Sequence, residues 1–261
     1  MVLISGVFYN QLTDVVVADL PCQGFIKIYN MIYPYQKSIP FEFDNMSTTN
    51  TIAIENAQAL GPLHLYLCRE LNFTSQNQFP MVLPYLGEIP EIIQSVHRLI
   101  HKSDTYLQKC CGSFFTSDSN FERFWTYPYK YLNFLRKLQC IISTDFSLYT
   151  NMLQMQKFWN SFRNKLMSAF YQYHNIPLIP APSWGDIKYI DFYMEGWPKN
   201  SIVAINSTGV GRDKRSRHIW LDGYYAMLDI LAPVFILRYG SMIEGEKKEI
   251  SRFYPNNNKQ Y

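Results

Sequence analysis

The sequence predicts an α/β fold built from parallel βαβ units, and three observations support this prediction. Short apolar runs that suit buried strands alternate with longer helical segments through the second half of the chain. Two of these runs, 202–205 and 234–237, are apolar at every position, as a sheet covered on both faces requires. Polar or glycine residues follow each run directly.

At least five parallel strands are therefore expected, and strands of this kind join through right-handed crossovers. A TIM-barrel-like closure that uses additional N-terminal strands is preferred, with an open doubly wound sheet as the alternative.

Three regions are expected along the chain. Residues 1–110 are predicted to form an N-terminal elaboration of short strands, loops and one helix, packed on the α/β core of residues 111–245. The charged and then Asn-rich stretch 246–261 is expected to be a frayed tail. Apolar spacing predicts helices over 88–109, 128–138, 151–173, 188–194 and 215–231, and strands over 113–116, 140–143, 176–180, 201–206 and 234–238.

Composition narrows the class of protein. The net charge of +3, from 24 Lys and Arg against 21 Asp and Glu, is too small to argue for nucleic-acid binding from global electrostatics. Five Cys without metal-ligand spacing indicate free thiols, which fit a reducing compartment, the cytoplasm. No run reaches the roughly 18 apolar residues of a membrane span, so no membrane association is expected. The aromatic content of 16% suits either a Tyr-rich core or an aromatic-lined binding surface.

Several motifs in the same order resemble one known family. They are the Phe-Glu-Arg-Phe-Trp run at 121–125, the run from 142 to 149 around Asp145, Trp-Asn-x-x-Arg-Asn at 159–164, Trp-Gly-Asp at 184–186, Pro-Lys-Asn-Ser at 198–201, and Ala-Ile at 204–205 with the Thr and Gly at 208–209. This pattern, over about residues 113–240, resembles the domain-of-unknown-function family 4417 of bacteria, phages and mobile elements. The resemblance implies a cytosolic protein of phage or mobile-element type. It supplies no catalytic residues.

Four polar motifs each follow a predicted strand directly: Asp145, the Trp-Gly-Asp motif at 184–186, Ser-Thr-Gly at 207–209 and Tyr-Gly at 239–240. The carboxyl ends of parallel strands point to one face, where α/β proteins hold their ligands. Asp145 and Asp186 are therefore the candidate catalytic residues, since paired carboxylates perform acid–base chemistry or bind a divalent cation. The alternative is that each Asp is an ordinary helix cap or turn residue.

Two further groups of residues suit an anionic ligand. Thr208 and Gly209 begin a glycine-containing loop that leads through Arg212 to a helix near Arg215, and backbone amides at such a loop favour anions. The alternative is a solvated basic turn. Asn160 and Arg163 share a face of the helix over 151–173, where the arginine suits either a phosphate or a buried carboxylate.

Trp184 suits stacking on a base or a sugar, with packing in the core as the alternative. Together these features predict an enzyme that acts on a nucleic acid or a phosphorylated small molecule at the carboxyl ends of its strands. The competing interpretation is a non-catalytic interaction protein that binds a host or phage factor through its aromatic surface.

Overall fold

The computed structural model describes residues 2–4, 7–10, 15–18, 63–210, 214–247 and 250–254. The chain divides into two compact units, Met1–Ser38 and Ile39–Tyr261. The first unit contains a three-stranded antiparallel sheet in the order β1-β2-β3, formed by β1 (Val2–Ile4), β2 (Val7–Asn10) and β3 (Val15–Ala18).

The second unit contains two parallel sheets, which confirms the predicted α/β class. One has the order β4-β5-β6-β7 and is formed by β4 (Ile92–Ser95), β5 (Cys110–Ser113), β6 (Cys140–Ile142) and β7 (Leu178–Ile179). The other has the order β10-β9-β8 and is formed by β8 (Ile202–Asn206), β9 (Phe235–Tyr239) and β10 (Ser251–Tyr254).

Helices lie in each connection between successive strands from β4 to β9, as is usual for parallel pairing. Two are long, and their bounds lie close to those that apolar spacing predicts. The α-helices of the described part are α1 (Val96–Leu99), α2 (Asp104–Leu107), α3 (Glu122–Thr126), α4 (Leu132–Leu135), α5 (Gln154–Tyr173), α6 (Ile190–Met194) and α7 (Lys214–Leu231). Short 3-10 turns, Asp118–Asn120, Pro128–Tyr131 and Ile187–Tyr189, precede α3, α4 and α6.

Side chains alternate between two apolar clusters along the parallel strands, as the period of two in a strand dictates. In β8, Val203 and Ile205 join the cluster that includes the helices, whereas Ala204 joins a second cluster. Every parallel strand of both sheets contributes to this second cluster. Its strand members are Ile93, Cys111, Cys140, Ile142, Ile179, Ala204, Leu237, Tyr239 and Tyr254. The two sheets therefore share one apolar interior.

The two sheets meet between β7 and β8, where the backbone amide of Ala204 donates to the carbonyl of Pro180 at 2.8 Å. At the other side, the Tyr254 hydroxyl donates to the carbonyl of Pro90 at 2.6 Å, two residues before β4. Barrel-like closure of the seven parallel strands stays a prediction.

Two stretches differ from the sequence-based expectation. Residues 92–95 were expected within a helix over 88–109, but they form β4, which pairs with β5 and buries Ile93 and Ser95. The apolar spacing of this stretch suits a helix, and pairing with a distant strand overrides that local preference. Residues 251–254 fall in the stretch expected to fray. They form β10 instead, because burial of Tyr254 holds the strand against the core.

Candidate functional site

A pocket of about 570 Å³ opens at the carboxyl ends of the parallel strands. Residues that follow β4, β5, β6 and β7 line it together with residues from the end of β8, so both sheets contribute. Its polar lining residues are His97, Arg98, Thr116, Ser117, Asn120, Asp145, Ser147, Ser183, Asn206 and Thr208. The pocket lies where the topology of a parallel sheet predicts a ligand site.

Asp145 is the titratable carboxyl group of this pocket. It lies three residues after β6, and its side chain is half-buried. The pKa of Asp145 is raised to about 7, mainly by burial; a hydrogen bond from the Asn206 side chain lowers it, and the negative charge of Asp118 raises it. A carboxyl group whose pKa lies near the pH at which a reaction runs both accepts and donates protons readily. Asp145 is therefore equipped for acid–base chemistry.

Basic residues reach the same pocket from the end of β4. His97 accepts or donates a hydrogen bond at Nδ1, which lies 2.8 Å from the Ser95 hydroxyl. Burial lowers the pKa of His97 below its usual value, and the charges of Arg98 and Arg123 lower it further. The shift favours the neutral imidazole, and Arg98 supplies the fixed positive charge of this edge.

Aromatic side chains form one wall of the pocket. Trp184 follows β7 and Trp220 lies on α7, with ring centroids 5.7 Å apart and ring planes inclined by 47°. The Trp220 indole donates from Nε1 to the carbonyl of Asn206 at 3.1 Å. This bond fixes the aromatic wall to the same strand end that contacts Asp145.

The predicted anion loop lies partly in the pocket. Thr208 lines the pocket, and its amide donates to Asn206 Oδ1 at 2.8 Å. Gly209 has a φ of 89°, a left-handed conformation that favours glycine. Arg212 lies outside the described residues. Arg215 is exposed on the first turn of α7 and is not among the residues that line the pocket.

Asp186 does not join Asp145. Its carboxylate forms an ion pair with Lys157, with an Nζ–Oδ2 distance of 3.4 Å. It lies at a separate depression of about 380 Å³ that Ile187, Lys188, Ile219 and Asp222 also line. The two predicted catalytic carboxylates therefore occupy different pockets, because the chain turns away after Trp184.

Asn160 and Arg163 lie behind the pocket and bind protein groups. Asn160 Nδ2 donates to the carbonyl of Ser147 at 2.7 Å, and Arg163 donates to Asn160 Oδ1 at 2.8 Å and to Glu122 Oε1 at 3.0 Å. The Arg163 guanidinium also lies 3.6 Å from the centroid of the Phe146 ring. These contacts hold the loop that follows β6, so both residues support Asp145 from outside the pocket.

Sequence reasoning missed several lining residues. His97 and Arg98 fell inside a predicted helix, so their position at a strand end was not visible. Asn206 ends the predicted strand over 201–206 and was not predicted as a site residue, although an amide at the last position of an apolar run is a signal for one. Trp220 gave no signal, because its contact with the pocket depends on how α7 packs.

Among the described residues, no group of three or more His, Cys, Asp or Glu side chains could hold a metal ion. The divalent cation stays a prediction.

The fold and pocket define a parallel α/β protein with a ligand-sized cleft at the carboxyl ends of its strands. The chain belongs to the domain-of-unknown-function family DUF4417, whose model matches residues 80–255. It is 32% identical over 129 residues to the Gene 1 protein of Mycobacterium phage L5, covering 49% of this chain and 56% of that protein. It is 30% identical over 129 residues to the Gene 1 protein of Mycobacterium phage D29, covering 49% and 48%. The chain thus spans about half the length of the curated relatives it matches. No solved structure matches it.

The family and the phage relatives confirm the resemblance that the motifs indicated. In the described part of the chain, no helix combines the length and the apolar character that a membrane crossing requires.

Proposed function

We propose that the pocket is the active site of an enzyme that acts on a phosphorylated small molecule, and that Asp145 transfers a proton in the reaction. The observation that carries the proposal is a carboxyl group with its pKa raised to about 7 inside a concave pocket. Perturbed titratable groups in clefts are typical of active sites. The volume of about 570 Å³ lies within the range of roughly 300–1,000 Å³ that small-molecule sites occupy.

A phosphorylated ligand suits the charges and donors of this pocket. Arg98 offers a planar guanidinium that binds phosphate oxygens with two hydrogen bonds. Thr116 and Ser117 follow the neighbouring strand and bring hydroxyl donors to the same edge. The neutral form of Asp145 below pH 7 reduces the repulsion that a fixed carboxylate would exert on the ligand.

The predicted anion loop offers a second phosphate position through Thr208, Gly209 and Arg215. Replacing one arginine at a time distinguishes the two positions. If Arg98 holds the phosphate, Arg98→Ala weakens binding strongly and Arg215→Ala leaves it unchanged. The reverse result would move the phosphate to the loop.

A non-catalytic interaction protein is the second candidate, and one observation favours it. Tyr149, Leu153 and Met155 are exposed by 61%, 73% and 74% and lie close together in sequence, from the loop after β6 to the first turn of α5. Tyr149 also lines the pocket. Clustered exposed apolar side chains are typical of surfaces that bind other proteins.

Free thiols support the cytoplasm as the location of either activity. Cys68, Cys110, Cys111 and Cys140 are free and buried in the described structure. A reducing compartment maintains thiols in this form.

The test uses the full chain and a set of defined compounds: sugar phosphates, nucleoside monophosphates and inorganic phosphate. A thermal-shift screen identifies which of these raises the melting temperature. Phosphorus NMR then follows the bound compound with time, in the presence of Mg²⁺ and in its absence. The wild type should convert a compound that Asp145→Asn binds but converts about 10²- to 10⁴-fold more slowly.

Asp229→Asn, which removes an exposed carboxylate on α7, is the matched control and should behave as the wild type. If no phosphorylated compound stabilises the protein, the enzyme proposal is wrong. The interaction candidate then predicts that replacing Leu153 and Met155 by Ser abolishes capture of a phage or host protein.

A further inference from the structure

We infer that the phosphorylated ligand is a nucleotide, whose base stacks on Trp184 and whose phosphate lies at Arg98. This inference rests on the proposed function and names its substrate class. Four observations lead to it: the contact between Trp184 and Gly223, the support of Trp220, the half-exposed position of Trp184, and the strand order between the two ends of the pocket.

Trp184 packs directly on the backbone of α7. A Cβ atom at Gly223 would overlap three atoms of the indole, Cδ1, Nε1 and Cγ, so only glycine accommodates the ring at this position. Glycine in the middle of a long helix weakens that helix relative to alanine. Gly223 therefore lowers the stability of α7 but allows the Trp184 ring to pack in a fixed position.

Trp220 is held from several directions and supports Trp184 from the side. Its ring stacks on Tyr224, with centroids 5.3 Å apart and planes inclined by 10°. The Arg238 guanidinium lies 4.7 Å from the Trp220 centroid, and the indole N–H is bonded to Asn206. Trp220 is buried whereas Trp184 is half-exposed, so Trp184 presents the accessible surface of this tryptophan pair.

The two ends of the pocket are separated by the width of a sheet. Arg98 follows β4 and Trp184 follows β7, at opposite edges of the four-stranded sheet, and Asp145 follows β6 between them. Three strand spacings amount to about 14 Å between the outer strand axes. A ligand that contacts both ends thus carries a phosphate, a linking group of sugar size and a planar ring.

This arrangement assigns each part of a nucleotide to a part of the pocket. The base lies on Trp184, the phosphate lies at Arg98, and the sugar and its bonds lie beside Asp145. Aromatic stacking tolerates every base, because each base has a π face. The aromatic wall therefore recognises a nucleotide as a class, and selection of one base requires the polar groups near Asn206.

The experiment compares ligands that differ by the base alone. Tryptophan fluorescence and calorimetry measure the Kd of a nucleoside monophosphate and of ribose phosphate for the full chain. We expect the nucleotide to bind more tightly, and Trp184→Ala to weaken its binding about 5- to 150-fold while leaving ribose phosphate unaffected. Trp184→Phe retains an aromatic ring and should lose less, and its far-ultraviolet circular dichroism and melting temperature show whether the fold is intact. Trp159→Ala, at an exposed position outside the pocket, is the control.

The outcomes separate this inference from the proposed function. If ribose phosphate binds as tightly as the nucleotide, and Trp184→Ala weakens neither, the base does not stack and the inference is wrong, whereas the phosphate site stands. If Arg98→Ala leaves nucleotide binding unchanged, the assigned orientation is wrong. If no phosphorylated compound binds, both proposals fail. A short single-stranded oligonucleotide presents the same chemistry, so its Kd relative to the mononucleotide decides whether the ligand is free or part of a strand.

Discussion

Arg238 and Glu246 form an ion pair with an Nε–Oε2 distance of 2.6 Å, and neither side chain reaches solvent. A second bond of 2.7 Å joins Arg238 Nη2 to Glu246 Oε1. Arg238 also donates to the carbonyls of Tyr239 and Ser241 at 2.6 and 2.8 Å. The pair therefore fixes the loop after β9 to the strand, directly beside Trp220 of the aromatic wall.

Removing one charge of this pair should destabilise the protein strongly. Glu246→Gln leaves the Arg238 charge buried without its counter-ion, and we expect a loss of about 3–5 kcal/mol in the free energy of unfolding. Urea denaturation measures the loss. Glu244→Gln, on the exposed surface of the same loop, should change stability by less than about 0.5 kcal/mol. Equal effects of the two variants would contradict a structural role for the pair.

The stability of the protein should depend on pH through Asp145. The folded-state pKa of about 7 exceeds the ordinary value of 3.8, so folding disfavours the ionised form. The stability that the neutral carboxyl contributes is complete below about pH 4 and is lost as the pH rises through 7. We expect Asp145→Asn to be more stable than the wild type at pH 8, by about 1 kcal/mol or more, with the gain shrinking towards pH 4. Differential scanning calorimetry across this range would refute the assignment if the gain were independent of pH.

Two neighbours should move the pKa of Asp145 in opposite directions. Asn206→Ala removes a hydrogen bond that stabilises the carboxylate, and the pKa should rise above about 7. Asp118→Asn removes a nearby negative charge, and the pKa should fall. Carbon NMR of the labelled carboxyl group measures both shifts. Shifts of the same sign would show that the variants act by rearranging the pocket.

Lys165 lies in the core and should be replaceable by an apolar side chain. Its amine is fully buried, donates to the Ser161 hydroxyl at 2.8 Å and lies 4.1 Å from the Phe79 ring centroid. Burial lowers the pKa of Lys165 well below its usual value, although the charge of Glu195 opposes the shift. A lowered lysine pKa means that stability is lost as the pH falls through the folded-state value.

Lys165→Met has a similar length and no charge to bury, so we expect a higher melting temperature than the wild type, with the difference increasing at lower pH. Thermal denaturation between about pH 5 and pH 9 measures the effect. The exposed Lys109→Met is the control for loss of one positive charge. A Lys165→Met variant that is less stable throughout would show that the amine contributes favourable contacts that methionine cannot replace.

The class of fold and part of the pocket could be predicted because their signals are local. The apolar runs of β8 and β9 require two covered faces, and Asp145, Trp184 and Thr208 each lie within five residues of the end of a strand. β4 could not be predicted, since its pairing with β5 depends on contacts that the stretch 92–95 does not encode alone. The separation of Asp186 from Asp145 also escaped sequence reasoning, because two residues after Trp184 are enough to carry a side chain out of the pocket.

The two sheets meet at the hydrogen bond between Ala204 and Pro180, so the width of the pocket depends on how far apart the two sheets lie. Trp184 belongs to one side of this boundary and Asn206 to the other, and the bond from Asn206 to Asp145 crosses it. A molecule that fills the pocket restrains the relative movement of the sheets as well as its own position. We therefore expect ligand binding to slow the exchange of backbone amides with solvent along β7 and β8, including amides that the ligand does not contact.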